Sequence, residues 1–172
     1  MRTTAAASLS LALSLAPVPI VATMTGCERA AAPTSLAVTA GGKRFDCRLA
    51  LDEASRERGL GGVTEIGPDE GMLFAFPTAE ERTFWMRDCV IDLDIAFLDG
   101  KGFVTAVHTM PKEPLRAEGE SESAYLGRLK RYPSGAPAQF ALEVAPGTLE
   151  KLGVRRGSRV EFDAAALKPR IR

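Results

Sequence analysis

The sequence predicts an all-β or β-dominated fold, a compact antiparallel sandwich or barrel with a few short helices. Three observations carry that expectation. From Leu36 onward apolar residues recur mostly with a period of two; 16 glycines and 11 prolines place turn signals at short intervals; and no helix of the kind a parallel crossover needs is evident between candidate strands. Apolar residues make up 45% of the 172 residues and charged residues 26%, which excludes disorder throughout. With 22 basic against 22 acidic residues and one His, the formal charge is zero, which excludes a nucleic-acid binder built on a broad basic face.

The first segment reads as an address. Residues 1–22 carry one charge, Arg2, and an Ala/Leu/Ser-rich apolar stretch that ends just before Met24-Thr25-Gly26-Cys27. Small residues ahead of a Cys are what lipoprotein processing requires, so residues 1–26 are expected to be a signal peptide and Cys27 a lipidation site. Pro17 and Pro19 oppose a spanning helix, and the apolar run is shorter than the roughly 20 residues a span needs. Cleavage leaves 172 − 26 = 146 residues and removes only Arg2, for a net charge of 21 − 22 = −1. Residues 27–35, Ala-rich with Pro33, read as a tether. The expected partner is therefore a membrane, through the lipid, on the periplasmic or outer side of the cell.

The body, residues 36–163, follows in hairpins. Strands at 36–39 and 43–51 flank the turn Ala40-Gly41-Gly42. Asp52 caps a short helix at 53–58, and Gly59 suits the left-handed residue that ends it. A glycine-rich loop leads to a strand at 71–76 stopped by Pro77, then to 82–86 and 93–98. The turn Asp99-Gly100 precedes a strand at 103–110. Within the charged stretch 111–133 a surface helix or lid is expected over 121–131, because Tyr125, Leu129 and Tyr132 fall at helical spacing. A strand at 139–144, a short helix at 148–152 and a strand at 159–162 complete the domain. Residues 164–172 form a basic tail expected to be disordered. A monomer is expected.

With Cys27 assigned to lipid, Cys47 and Cys89 remain in a disulfide-permissive compartment. Two readings stand: a disulfide closing a loop of 42 positions, worth roughly 3 to 4 kcal/mol, or two buried free thiols acting as small core hydrophobes. No C-x-x-C spacing supports a redox pair.

The densest chemistry lies in residues 84–97, which hold the only Trp, Trp85, beside Arg87 and three carboxylates. In a strand at 93–97, Leu93, Ile95 and Phe97 share one face and Asp92 and Asp94 the other. Asp94 sits deeper among apolar neighbours and needs a partner, for which Arg58, Arg87 or backbone N–H groups are available. Glu143 alternates with Leu142 and Val144 and so faces away from their core side.

Arg58-Gly59-Leu60, Asp69-Glu70-Gly71-Met72-Leu73-Phe74, Phe84-Trp85-Met86-Arg87, Leu93-Asp94-Ile95 with Phe97, then Tyr132, Pro133 and Ala141-Leu142-Glu143 occur in that order. This series resembles the signature of a prokaryotic family known as domain of unknown function number 192, over residues 36–162. The resemblance implies a compact β-rich fold, often exported, with no established activity. The chain departs from the family pattern at Gly61, where Met is usual, and at Asp88-Cys89, where Asn-Thr is usual.

Familiar catalytic arrangements are missing. His108, the only His, lies in a strand pattern with no G-x-S-x-G elsewhere. One His and two Cys lack metal-ligand spacing, and the glycines at 59–62 lack a phosphate-loop ending, so neither metal nor cofactor is expected. Two functions are weighed. The preferred one is a membrane-anchored binding or accessory module with a small polar pocket of Arg58, Trp85, Arg87, Asp94 and Glu143. The alternative is a carboxylate-dependent hydrolase acting on an envelope component, with Asp94 and Glu143 as acid and base; glycosidase-like pairs stand about 5 to 10 Å apart across a cleft.

Overall fold

The chain turns back on itself first at Gly41 and Gly42, which take φ of 57° and 78°, values only glycine adopts at no steric cost. The computed structural model describes residues 34–172. The turn joins β1 (Ser35–Ala40) to β2 (Lys43–Ala50) in an antiparallel hairpin. Asp52 then starts α1 (Glu53–Arg58) through a capping box with Ser55, in which each side chain binds the other residue's backbone N–H. β3 (Glu70–Glu80), β4 (Thr83–Phe84), β5 (Leu93–Leu98) and β6 (Val104–Met110) follow. After them come α2 (Glu122–Arg128), β7 (Tyr132–Pro133), β8 (Ala138–Val144), α3 (Thr148–Lys151), β9 (Val160–Glu161) and α4 (Ala164–Leu167).

Seven strands form a curled mixed sheet, a half-barrel, in the order β6-β5-β8-β3-β2-β1-β9, and β4 pairs with β7 separately. The β-dominated expectation is met, with one difference in pairing. β2 and β3 run parallel, Cys47 opposite Gly71 and Leu49 opposite Leu73. The connection between them, residues 51–69, contains α1 and is long enough to carry the chain across, which a hairpin reading of local turns does not reveal. β3 also continues past Pro77. The register with β8 shifts between Ala75 and Glu80, so the proline falls where the ladder is irregular and its missing N–H goes unneeded.

Side chains alternate between two apolar clusters, one on each face of the sheet. Phe45, Cys47, Leu73, Phe140, Leu142 and Val144 belong to the first, closed by Leu149, Val154, Val160 and Leu167 from the C-terminal segment. Met72, Phe74, Ile95, Phe97 and Ala141 belong to the second, closed by Leu60, Met86, Cys89 and Tyr132 from loops and from β7. The tail expected to be disordered is therefore part of the body. Leu167 is fully buried, residues 168–170 form a 3-10 turn, and the N–H of Arg172 donates to the Leu51 carbonyl at 2.8 Å. Leu167, with Ala164 and Ile171 packed against the same cluster, and the hydrogen bonds of Arg172 hold it.

The thiols are free and buried on different faces, Cys47 in the first cluster and Cys89 in the second, which corrects the disulfide reading in favour of the buried-thiol one. Residues 1–33, with the expected signal and the lipidation site Cys27, lie outside the described residues. Among the described residues, no helix is long and apolar enough to cross a membrane.

Candidate functional site

On the second face the closing elements leave a gap. The last turn of α1 must end sharply because Gly59 adopts a φ of 49°, and a Cβ there would stand 3.4 Å from the Phe74 ring. A cleft of about 270 Å³ lies between α1 and residues 83–89. Phe74, Phe76, Phe84 and Trp85 line it, with Leu60 and Cys89 deeper and Glu53, Arg56, Glu57, Arg58, Thr83 and Arg87 also on its walls. Phe84 is fixed by edge contacts with Phe74, Phe76 and Phe97 at centroid distances of 5.0, 6.3 and 5.2 Å.

Glu143 reaches the cleft from β8. Its neighbours across the sheet are Met72 on β3 and Ile95 on β5, so its carboxyl lies on an apolar floor and is 5% exposed. Among the described residues it has neither a hydrogen bond nor an ion pair. Burial alone pushes its pKa up to about 8, so the group is mostly protonated near neutral pH. Burial, reinforced by the negative charges of Glu143 and Asp88, raises the Cys89 thiol to about 12 and leaves it a poor nucleophile.

Most rim charges are already engaged. Arg56 donates to the carbonyls of Ala75 and Arg172 at 3.0 and 2.8 Å and lies over the Phe76 ring. Arg87 pairs with Glu122 of α2 at 2.7 Å and with Asp88 at 3.5 Å. Trp85, 40% exposed, carries the Arg131 guanidinium 4.4 Å from its ring. The side chains of Arg58, Glu53 and Glu57 are exposed, with no hydrogen bond or ion pair among the described residues.

The structure brings Arg58, Trp85, Arg87 and Glu143 to this cleft, four of the five expected pocket residues. Asp94 is not among its lining. Strand alternation puts it on the first face, where Oδ2 accepts the Leu149 N–H at 3.0 Å and Oδ1 accepts the Thr109 hydroxyl at 3.0 Å. Gly147 gives α3 no side-chain cap, and Asp94 supplies one from a distant strand. An acid and base pair of Asp94 and Glu143 is accordingly not assembled, because the two carboxyls point to opposite faces of the sheet. Asp92 accepts the Lys112 N–H at 2.8 Å at the surface. His108 Nε2 lies 2.8 Å from the Pro133 carbonyl, to which it must donate.

Asp88 takes a φ of 56°, and its N–H donates to the Tyr125 hydroxyl at 2.8 Å. Asn and Asp are the residues besides glycine that tolerate this left-handed conformation, which gives the exchange of one for the other a backbone explanation. Sequence reasoning missed Glu53, Arg56, Glu57, Phe76, Thr83, Phe84 and Cys89 as cleft residues. One signal was available: Glu53 and Glu57 stand four residues apart in a helix with no buried residue, which puts two acids on one side. Among the described residues no group of three or more His, Cys, Asp or Glu could hold a metal ion.

The fold is thus a curled β-sheet with an aromatic-walled cleft floored by one buried carboxyl. The chain belongs to the DUF192 family, described as an uncharacterized ACR, whose model matches residues 36–162. Among solved structures it is similar to a protein of Sinorhizobium meliloti 1021 described as a "putative transcription regulator". That likeness has 30% identity and a TM-score of 0.58, over 77% of this chain and 92% of the other. It is also similar to a protein of unknown function from Novosphingobium aromaticivorans DSM 12444. There the identity is 29% and the TM-score 0.57, over 74% of this chain and 83% of the other. No curated protein matches the chain.

Proposed function

We propose that the protein is a binding module whose aromatic cleft seats a small molecule with a flat apolar body and a polar end that reaches Glu143. The observation that carries this reading is the Glu143 carboxyl itself. It is 5% exposed and has no partner among the described residues, and it sits at the floor of an open cleft where a ligand would take the place of the water that reaches it. In the same reading the module is exported and held to a membrane through lipid on Cys27, supported by the Ala/Leu/Ser-rich leader and the Thr25-Gly26-Cys27 box.

A thermal-shift screen of small aromatic fragments against the purified protein tests the cleft. A fragment at about 100 times its Kd stabilises by about 2.7 kcal/mol, and this gain is expected to vanish in Glu143→Leu. Hits that persist in that variant, or none at all, remove the reading. Mass spectrometry of membrane-extracted protein tests the anchor, and an unmodified Cys27 overturns it.

A further inference from the structure

We infer that the cleft takes a cation, a protonated amine, amidine or guanidine on a flat apolar body, which pairs with an ionised Glu143. This deepens the binding reading and rests on it. The argument starts from which charges remain available. Of the charged groups on the cleft, Arg56 has two guanidinium nitrogens on carbonyls and Arg87 is held by Glu122 and Asp88. The unengaged groups are three acids, Glu53, Glu57 and Glu143, against one base, Arg58. Glu143 is the most shielded of the four, and burial alone acts on it, with no cation of the protein to offset it.

The walls agree. Phe76 already carries the guanidinium groups of Arg56 and Arg82 at 5.2 and 4.1 Å from its centroid, and Trp85 carries Arg131. Ring faces here are used repeatedly to stabilise positive charge. A cation that slides between such rings exchanges a lone buried acid for a charge-assisted pair, the strongest kind of hydrogen bond open to it. An anion would instead meet an acid at the floor.

Binding then has a proton cost with a definite sign. Glu143 loses its proton to the buffer as the cation pairs with the carboxylate. The titratable groups that share the cleft with it are Glu53, Arg56, Glu57 and Arg58 from α1, and Arg87 and Cys89 from the loop after β4, of which Cys89 interacts with it electrostatically. β3 and β5 offer only Met72 and Ile95, and His108, one strand further on β6 opposite Ile95, is tied to the Pro133 carbonyl.

Calorimetry with benzamidine, which stays charged throughout, decides the matter. With an ionisation near pH 8, about 1% of Glu143 is ready at pH 6 and about half at pH 8, so benzamidine should bind about 50-fold more tightly at pH 8. At pH 6 the heat should depend on the buffer, as one proton is released. Glu143→Gln, which keeps the side-chain shape, should bind weakly with no pH dependence. Benzamidine affinity that is flat or falls from pH 6 to 8, or tighter binding of benzoate, overturns the inference. Glu143-dependent binding of neutral benzamide without benzamidine overturns the cation and keeps the cleft. Failure of benzamidine, benzamide and benzoate alike overturns both.

Discussion

Asp94 and Glu143 lie on neighbouring strands, one register step apart, and both carboxyls are withdrawn from water, 1% and 5% exposed. What surrounds them differs. Asp94 faces the side closed by the C-terminal segment and spends each oxygen on a donor of its own chain, an N–H of α3 and the Thr109 hydroxyl. Glu143 faces the side closed only by loops and α1, and spends none. Burial alone therefore does not distinguish scaffold from site. The distinction is whether the protein itself supplies the donors, and the face with the incomplete lid is the one where it does not.

The largest expected effect tests the satisfied acid. Asp94→Ala strands a buried N–H and releases the start of α3, and should cost about 3 to 5 kcal/mol in urea melts. A variant as stable as the parent would erase the contrast.

Next is the pH response of the unsatisfied acid. Its folded pKa, about 8, stands above the ordinary 4.5, so the folded state holds a proton that the unfolded chain gives up. Stability should consequently fall as pH rises from about 4.5 to about 8 and level off above. The drop, relative to Glu143→Gln, should be on the order of 3 kcal/mol between pH 5 and 8. Parallel melts of the two proteins at both pH values check it, and equal slopes would show that Glu143 is hydrated.

A smaller effect should have the opposite sign to the first. At pH 5, where the acid is neutral, Glu143→Leu should gain about 1 kcal/mol by replacing an unanswered polar group with an apolar one on the Met72 and Ile95 floor. The smallest belongs to Arg58→Ala, within about 0.5 kcal/mol, because an exposed cation without a partner holds nothing in place. A larger loss would give Arg58 a structural role instead.

Local chemistry made parts of this legible in the sequence. The Ala40-Gly41-Gly42 turn, the Asp52 cap and Gly59 each act within a few residues, and β1, β2 and α1 fall where those residues place them. Strand alternation separated Glu143 from Leu142 and Val144, and the ordered motifs joined it to Arg58, Trp85 and Arg87. The features that escaped are set by distant residues. Asp94 caps a helix 55 positions away; the parallel pairing of β2 with β3 needs the α1 crossover; Leu167 docks the tail against a core assembled upstream. The aromatic wall escaped for the same reason, since nothing local tells which face of β3 will lack a cover.

The strand order also governs how the molecule can assemble. β1, β2 and β3 associate at one side of the sheet and β5 with β6 at the other, yet β3 and β5 never touch as neighbours: β8 lies between them. Without residues 138–144 the sheet would divide into two half-sheets, each with an edge open to another chain. The contacts that join them span much of the sequence, which predicts slow, late cooperativity. The strand that fuses the halves is the one that carries Glu143, so the cleft gains its floor in the same event that makes the sheet continuous, and no partly folded half can offer a finished site.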